Sequence, residues 1–304
     1  MTLQYQRLGE TDFRVSSIGL GCVTFGREIN AATSFAVLDR AAERGVNLLD
    51  TAAVYGEGSS EAVVGRWMRD RANRDRIVLA TKVSGRLCRD RISRSVEASL
   101  RRLGTDRIDL LQAHDWDDQT PLEETLAALD NLVRRGMVRC CGVSNWKPGQ
   151  LKAAFSLSTH NAWPRLESVQ PIYNLVDRRI EEGLLDLCTE QRLGVLTYSP
   201  LGAGFLTGKY RRGGPVPAGT RFDVKPAHRD IYFTNHGFRV MEGVRTLASR
   251  LDMPMSRLAL AWVFRRPAIT SVLIGARRPS HVDQAFEALD TVLPDDAWER
   301  LENL

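Results

Sequence analysis

Four ionisable side chains sit at the ends of short apolar runs, and together they would make a proton donor for a carbonyl oxygen. Asp50 and Tyr55 follow directly on Val46-Asn-Leu-Leu49, Lys82 closes Ile77-Val-Leu-Ala-Thr-Lys82, and His114 closes Ile108-Asp-Leu-Leu-Gln-Ala-His114. A phenol with a pKa near ~10 is a poor acid at neutral pH. An ammonium ~4 Å away, at an effective dielectric of ~20, attracts a phenolate by about 4 kcal/mol. Lys82 is therefore expected to lower the Tyr55 pKa by roughly three units, at ~1.4 kcal/mol per unit. Asp50 is expected to keep Lys82 charged and oriented, which offsets part of that shift. His114 is expected to donate a hydrogen bond to the carbonyl or to relay a proton. Taken singly, a tyrosine is usually packing, and a strand-end lysine is usually solvated or ion-paired. Four such residues in this order read as a catalytic set.

Side chains placed in this way need strands that end on a common rim. Strand-like runs at 17–21, 46–50, 77–82, 108–113, 138–143, 167–170, 195–199 and 271–274 supply them. They alternate with amphipathic segments near 31–45, 59–71, 90–103, 121–135, 148–159, 179–193, 237–250, 256–265 and 279–289. Eight strands separated by helices predict an α/β fold, a (β/α)8 TIM barrel. Leu3–Gly9 and Phe13–Ser17 read as an N-terminal β-hairpin turning at Glu10-Thr-Asp12, suited to lie across the bottom of the barrel. Ser59 or Ser60 is expected to cap the second helix, and Pro121 to sit in the first turn of the fourth. No linker or repeat divides the chain, so residues 1–304 are expected to form one domain.

The connection after the seventh strand, from Ser199 to about Asn235, is out of scale. It holds Gly202, Gly204, Gly208, Gly213, Gly214, Pro215, Pro217 and Gly219. Loops beyond ~12–15 residues are uncommon unless functional or disordered. Lys209, Arg211, Arg212 and Arg221 within it point to a lid that clamps an anion.

Of 304 residues, 43% are hydrophobic, which supports a sizeable core. No run approaches the ~18 apolar residues of a membrane span. The first eight residues lack the apolar stretch of a secretory signal, which favours a cytoplasmic protein with no membrane insertion. Five cysteines show neither metal-ligand spacing nor a disulfide framework, so they are expected to be reduced and mostly buried, with no metal site. The net charge of +5 comes largely from arginines interleaved with acids, as in Asp70-Arg-Ala-Asn-Arg-Asp-Arg76. That is a solvated helix face and not a nucleic-acid stripe. A polyanionic small molecule would use some of the positive charge.

The chain resembles the aldo-keto reductases. The likeness rests on Asp50, Tyr55, Lys82 and His114, and on a series of short strings in order along nearly the full length. These are Gly19-Leu-Gly-Cys-Val-Thr-Phe-Gly26, Asp50-Thr-Ala-Ala-Val-Tyr-Gly56, Gly142-Val-Ser-Asn-Trp146, Gln170-Pro-Ile-Tyr-Asn174, Tyr198-Ser-Pro-Leu201, Gly208-Lys-Tyr210 and Ile274-Gly-Ala-Arg277. It is similar above all to the branch with bacterial stress-type reductases, sugar dehydrogenases and potassium-channel β-subunits.

The resemblance implies a nicotinamide cofactor held without a Gly-x-Gly-x-x-Gly loop, and none follows the first strand here. NADPH is the expected cofactor and NADH a weaker one, because Lys209, Arg221 and Arg277 fall in the family's adenosine-phosphate region. Ser144, Asn145 and Gln170 are expected on the carboxamide, Asp50 also on the cofactor's side, and Tyr198 stacked on the nicotinamide. Ser199, Pro200, Leu201 and Gly202 are expected at the pyrophosphate. Gly275, Ala276 and Arg277 would open the last helix region, whose N-terminus suits a phosphate. Gln284 and Ala285 stand where the family has Glu and Asn, so the adenine-reading Asn is missing at Ala285, and His281 is a further departure.

Val23, Trp116 and Trp146 are expected to rim the substrate pocket beside Tyr55 and His114, which suits an aromatic or apolar carbonyl compound. The acidic Asp115-Trp-Asp-Asp118 loop would instead suit sugar hydroxyls. The implied reaction is NADPH-dependent reduction of an aldehyde, ketone or sugar carbonyl with Tyr55 as general acid. Two other readings are an NAD(P)-dependent sugar dehydrogenase and a cofactor-sensing regulatory subunit of the channel β-subunit kind. A homo-oligomer is compatible with all three.

Overall fold

The computed structural model describes residues 3–304. An antiparallel hairpin, β1 (Tyr5–Arg7) and β2 (Arg14–Ser16), precedes eight parallel strands. These are β3 (Ile18–Gly21), β4 (Leu48–Asp50), β5 (Val78–Val83), β6 (Ile108–Ala113), β7 (Val138–Ser144), β8 (Leu166–Gln170), β9 (Gly194–Thr197) and β10 (Ser271–Gly275). They close into a barrel in which β10 pairs with both β9 and β3. Helices α1 (Ala31–Glu43), α2 (Ser59–Arg71), α3 (Arg89–Leu103), α4 (Leu122–Arg134), α5 (Pro148–His160) and α6 (Leu184–Glu190) follow β3 to β8 in turn. The chain is a (β/α)8 TIM barrel with an N-terminal hairpin.

Successive strand side chains point to opposite faces, and that alternation builds two cores. Leu48, Val78, Ala80, Leu110, Cys140, Leu196 and Leu273 form the inner cluster. Their neighbours Leu49, Leu79, Leu111, Cys141, Val195 and Val272 face outward into the layer shared with the helices. Leu8 and Val15 of the hairpin are buried in the inner cluster, which gives the hairpin its place at the barrel's closed end. Burying each such side chain is worth about 1.5–3 kcal/mol. Gly9 is required at the turn, because it has φ +59° and a Cβ there would lie 2.5 Å from the Glu167 carbonyl oxygen.

Several local expectations are corrected. The predicted helix 179–193 is broken by Gly183 at φ +84°, leaving a 3₁₀ turn and the short α6. Gly58, at φ +94°, takes the cap position of α2, and the Ser60 hydroxyl donates instead to the Cys22 carbonyl. Pro121 caps α4 and lies before its first turn. A C-terminal helix, α12 (Asp295–Glu302), escapes the periodicity because it buries only Ala297 and Leu301.

The long connection after β9 is largely built, not structureless. It contains α7 (Arg221–Val224) and α8 (Arg229–Tyr232) between 3₁₀ turns, and leads into α9 (Asn235–Arg250) and α10 (Met255–Phe264). Phe205, Tyr210, Phe222 and Tyr232 are buried there and, with Phe233 and Phe238, pack with ring centroids 4.9 to 6.4 Å apart. The tract 211–219 is mostly exposed and carries no helix, and 223–227 is exposed as well. After β10, α11 (Pro279–Leu289) begins two residues beyond Arg277, so Gly275 ends the strand and Ala276 and Arg277 lie in the turn before the helix, none of them at its start. Among the described residues, no helix is long and apolar enough to cross a membrane.

Candidate active site

The inward positions at the C-terminal ends of the strands are polar where the deeper ones are apolar. Lys82 on β5 stands opposite Gln112 on β6, Gln112 opposite Gly142 on β7, and Ser144 opposite Gln170 on β8. Lys82 is fully buried, and its Nζ donates to Asp50 Oδ2 at 2.5 Å and to the Thr51 carbonyl at 3.0 Å. The other Asp50 oxygen accepts from Gln170 Nε2 at 2.8 Å and from Gln112 Nε2 at 3.2 Å. A buried carboxylate is tolerable only with such partners. Gly142 leaves the room for this layer, since a Cβ there would lie 2.1 Å from Ser168 Oγ.

Tyr55 reaches the layer from above. Beyond it Gly56, Glu57 and Gly58 all adopt positive φ, a run that folds the chain back into α2. Glu57 carries a side chain in the left-handed region, a strain that concentrates at functional sites. The Tyr55 hydroxyl lies 3.4 Å from Lys82 Nζ, and its ring meets the His114 ring edge-on at 5.8 Å. The structure thus brings Asp50, Tyr55, Lys82 and His114 together.

The expected acidification of Tyr55 is not found. Burial pushes the phenol above its ordinary value, the Lys82 ammonium opposes this, and Asp50 reinforces it. The physical reason is that Asp50, at 2.5 Å, cancels much of the lysine's field while the desolvation cost remains. Burial alone would lower Lys82, but the Asp50 carboxylate and the Tyr55 phenol outweigh it and the net direction is upward. His114 is lowered to about 4 by burial and then by Lys82, so its imidazole is neutral near pH 7. Its Nδ1 pairs with Ser84 Oγ at 2.8 Å.

The residues expected at the carboxamide are engaged with one another. Ser144 Oγ donates to the Gln170 carbonyl, and Gln170 donates to Asp50. Asn145, at φ +61°, accepts from the Tyr198 hydroxyl at 2.9 Å and donates to the His114 carbonyl at 3.2 Å. Ser199 has φ +55°, and Gly202 is buried where a Cβ would lie 2.9 Å from the Tyr232 ring. Pro200 is buried and Leu201 half-buried in the same turn. Val23 and Trp116 are partly exposed near this rim, but Trp146 is only 3% exposed and packs edge-on against Trp116 at 4.7 Å. It braces the rim instead of forming it.

Farther along the cleft the cations converge. Arg277 donates to the Gly219 carbonyl at 3.0 Å, and its own backbone N–H is accepted by His281 Nδ1 at 3.2 Å. Burial and then the Arg277 charge hold Lys209 below its ordinary value, and burial and then Arg27 do the same to Arg221. Arg221 Nη1 is buried with no hydrogen-bond partner among the described residues. An orphaned guanidinium donor beside further cations fits a polyanionic cofactor. Gln284 is exposed on α11, while Ala285 packs into the outer core.

Sequence reasoning missed Gln112, Ser84, Arg27 and Glu28. Gln112 was readable, being two residues before His114 and so on the same face of one strand. Arg27 and Glu28 lie in a turn with no periodicity to mark them.

Residues 17–304 match the aldo/keto reductase family. The chain is 34% identical to a "Probable voltage-gated potassium channel subunit beta" of Oryza sativa subsp. japonica, over 95% of this chain and 92% of that protein. It is 31% identical to "Protein tas" of Escherichia coli, over 99% and 97% of the two chains. With "Aldo-keto reductase YhdN" of Bacillus subtilis it shares 31% identity over 94% and 88%. A barrel with this rim, matched over nearly its whole length, belongs to the aldo/keto reductase family of oxidoreductases.

Proposed function

We propose that the protein is an NADPH-dependent reductase of an aldehyde, ketone or sugar carbonyl, and that residues 1–304 act as one catalytic domain. The observation that carries this reading is the fully buried Lys82 held between Asp50 and the Tyr55 hydroxyl, with a neutral His114 beside the phenol. When bound, reduced nicotinamide supplies the hydride that adds to the carbonyl carbon. Tyr55 gives its proton to the carbonyl oxygen, and burial keeps that proton in place at neutral pH until negative charge develops on the substrate. Lys82 then stabilises the phenolate left behind. A Ser84 hydroxyl donating to Nδ1 leaves the neutral His114 proton on Nε2, the form that hydrogen-bonds a carbonyl. Asn145, Ser144, Gln170 and Tyr198 would hold the nicotinamide end, and Ser199–Gly202, Lys209, Arg221, Arg277 and Gln284 the rest of the cofactor.

A 2′-phosphate adds roughly two negative charges, and guanidinium groups grip phosphate oxygens in pairs. NADPH should therefore bind more tightly than NADH, with the gap narrowing at high salt. The match to relatives named as channel subunits supports a second reading, in which cofactor binding matters more than turnover. NADPH oxidation should be followed across aromatic aldehydes, ketones and sugars, with dissociation constants for both nucleotides at low salt. Turnover with NADPH preference is expected. Saturating cofactor binding without turnover on any carbonyl would leave the regulatory reading in its place.

A further inference from the structure

Glu28 is a carboxylate in the cleft that the catalytic scheme does not use. Its turn is stitched to the end of β10, because the Glu28 N–H donates to the Thr24 carbonyl and Thr24 Oγ1 donates to the Ala276 carbonyl at 3.4 Å. The side chain is 11% exposed and holds Arg27 in a two-pronged pair, at 2.6 and 2.5 Å. The same Oε1 lies 4.0 Å from Arg221 Nη1 and 4.0 Å from Arg277 Nη2. Arg277 in turn holds the Gly219 carbonyl. One carboxylate therefore hydrogen-bonds one guanidinium group and lies at ion-pair distance from two more, and so links three segments, one of them the tip of the long connection.

We infer that Glu28 is a built-in rival of the cofactor's phosphates for Arg27, Arg221 and Arg277, and so sets how tightly the cofactor is held and how readily it leaves. The inference rests on the cofactor reading given above. The Arg27 N–H groups committed to Glu28 cannot serve a phosphate at the same time, and the charges of Arg221 and Arg277, 4.0 Å away, are partly offset by the same carboxylate. A phosphate brought among these arginines also meets Glu28 as a like charge in a partly buried site, where screening is weak. Burial pushes Glu28 up, yet Arg27 and then Arg277 outweigh it, so the carboxyl is held below its ordinary value and stays charged at neutral pH. Without an anion, the three guanidinium groups would repel one another. Glu28 supplies that anion and keeps the arms of the clamp together between binding events.

Glu28→Gln keeps the side chain's shape and removes its charge. The NADPH dissociation constant, read by fluorescence titration, should fall about tenfold, the factor expected when a modest charge-assisted competitor is lost. Glu43→Gln removes the same charge from an exposed side chain on α1 and should leave the constant unchanged. Hydrogen exchange at residues 218–224, measured without cofactor, should quicken in Glu28→Gln because the charge that holds Arg221 and Arg277 beside that turn is gone. An unchanged or weaker NADPH affinity in Glu28→Gln would overturn the inference, as would an equal gain in Glu43→Gln. If even the unaltered protein binds neither NADPH nor NADH, the cofactor reading fails. The exchange data then decide alone, with faster exchange supporting the tie to another anion and unchanged exchange refuting it.

Discussion

Tyr55 is held in a partly buried position where losing its proton is costly until a partner charge appears. That makes it a donor that waits for the substrate oxygen. Tyr55→Phe keeps the ring against His114 and deletes the proton, so turnover should fall ~10²–10⁴-fold with cofactor affinity retained. Steady-state rates alongside nucleotide titrations check this, and a variant with wild-type chemistry would remove Tyr55 from the role. His114 gives a pH prediction of definite sign. Its folded value is about 4 against an ordinary 6.5, so between these the unfolded chain binds the extra proton. Stability from this group is fully present above about pH 6.5 and is lost as pH falls toward 4. The melting temperature should therefore drop less steeply over that range in His114→Asn than in the unaltered protein. The four residue types were legible in the sequence because each lies at or just beyond the end of a strand. The direction of the Tyr55 shift was not, because it depends first on the depth of the phenol's burial and then on how far Asp50 offsets Lys82, which no spacing reveals.

The strands carry most of what the sequence made readable. A period of two puts Leu48 and Asp50, Val78 and Lys82, and Leu110 and Gln112 on single inward faces. Depth in the barrel then sorts them into an apolar floor and a polar rim. The rim exists only because Gly142 gives way. Gly142→Ala would drive a methyl into Ser168 Oγ and to 2.9 Å from the Ser168 carbonyl. Such overpacking typically costs about 1–3 kcal/mol. β7 and β8 should be pushed apart there, loosening the Gln170–Asp50 hydrogen bond. The expected result is a lower denaturation midpoint together with reduced turnover, and a variant with both unchanged would show that the layer tolerates the shift. By contrast, the aromatic cluster in the long connection was illegible. Phe205, Tyr210, Phe222, Tyr232, Phe233 and Phe238 follow no period, and only the folded chain gathers them.

At the scale of the whole molecule, barrel closure decides which charges meet. The pairing of β10 with β3 sets the turn bearing Arg27 and Glu28 beside Arg277, although these lie near opposite ends of the chain. Sequence order hid that neighbourhood, so Lys209, Arg221 and Arg277 could be named from resemblance while their counter-ion could not. The same closure reshapes the expectation of a lid spanning 200–235. Phe222, fully buried, anchors the segment just after Arg221, and Phe205 and Tyr210 anchor the start. Movement is expected chiefly in the exposed, helix-free tract 211–219, where Gly213 and Gly219 have positive φ. Ordering each residue of such a tract costs about 1–2 kcal/mol of backbone entropy, which cofactor contacts must offset. Without cofactor, trypsin should therefore cut after Arg211 or Arg212, both exposed, and spare Arg221. Saturating NADPH should slow those cuts, since Arg277 and Arg221 then hold the tract's end against the phosphates, and reopening should contribute to the rate of cofactor release. Early cleavage after Arg221 would show that the aromatic anchor does not hold. Equal cleavage rates with and without NADPH would show that the tract takes no part in binding.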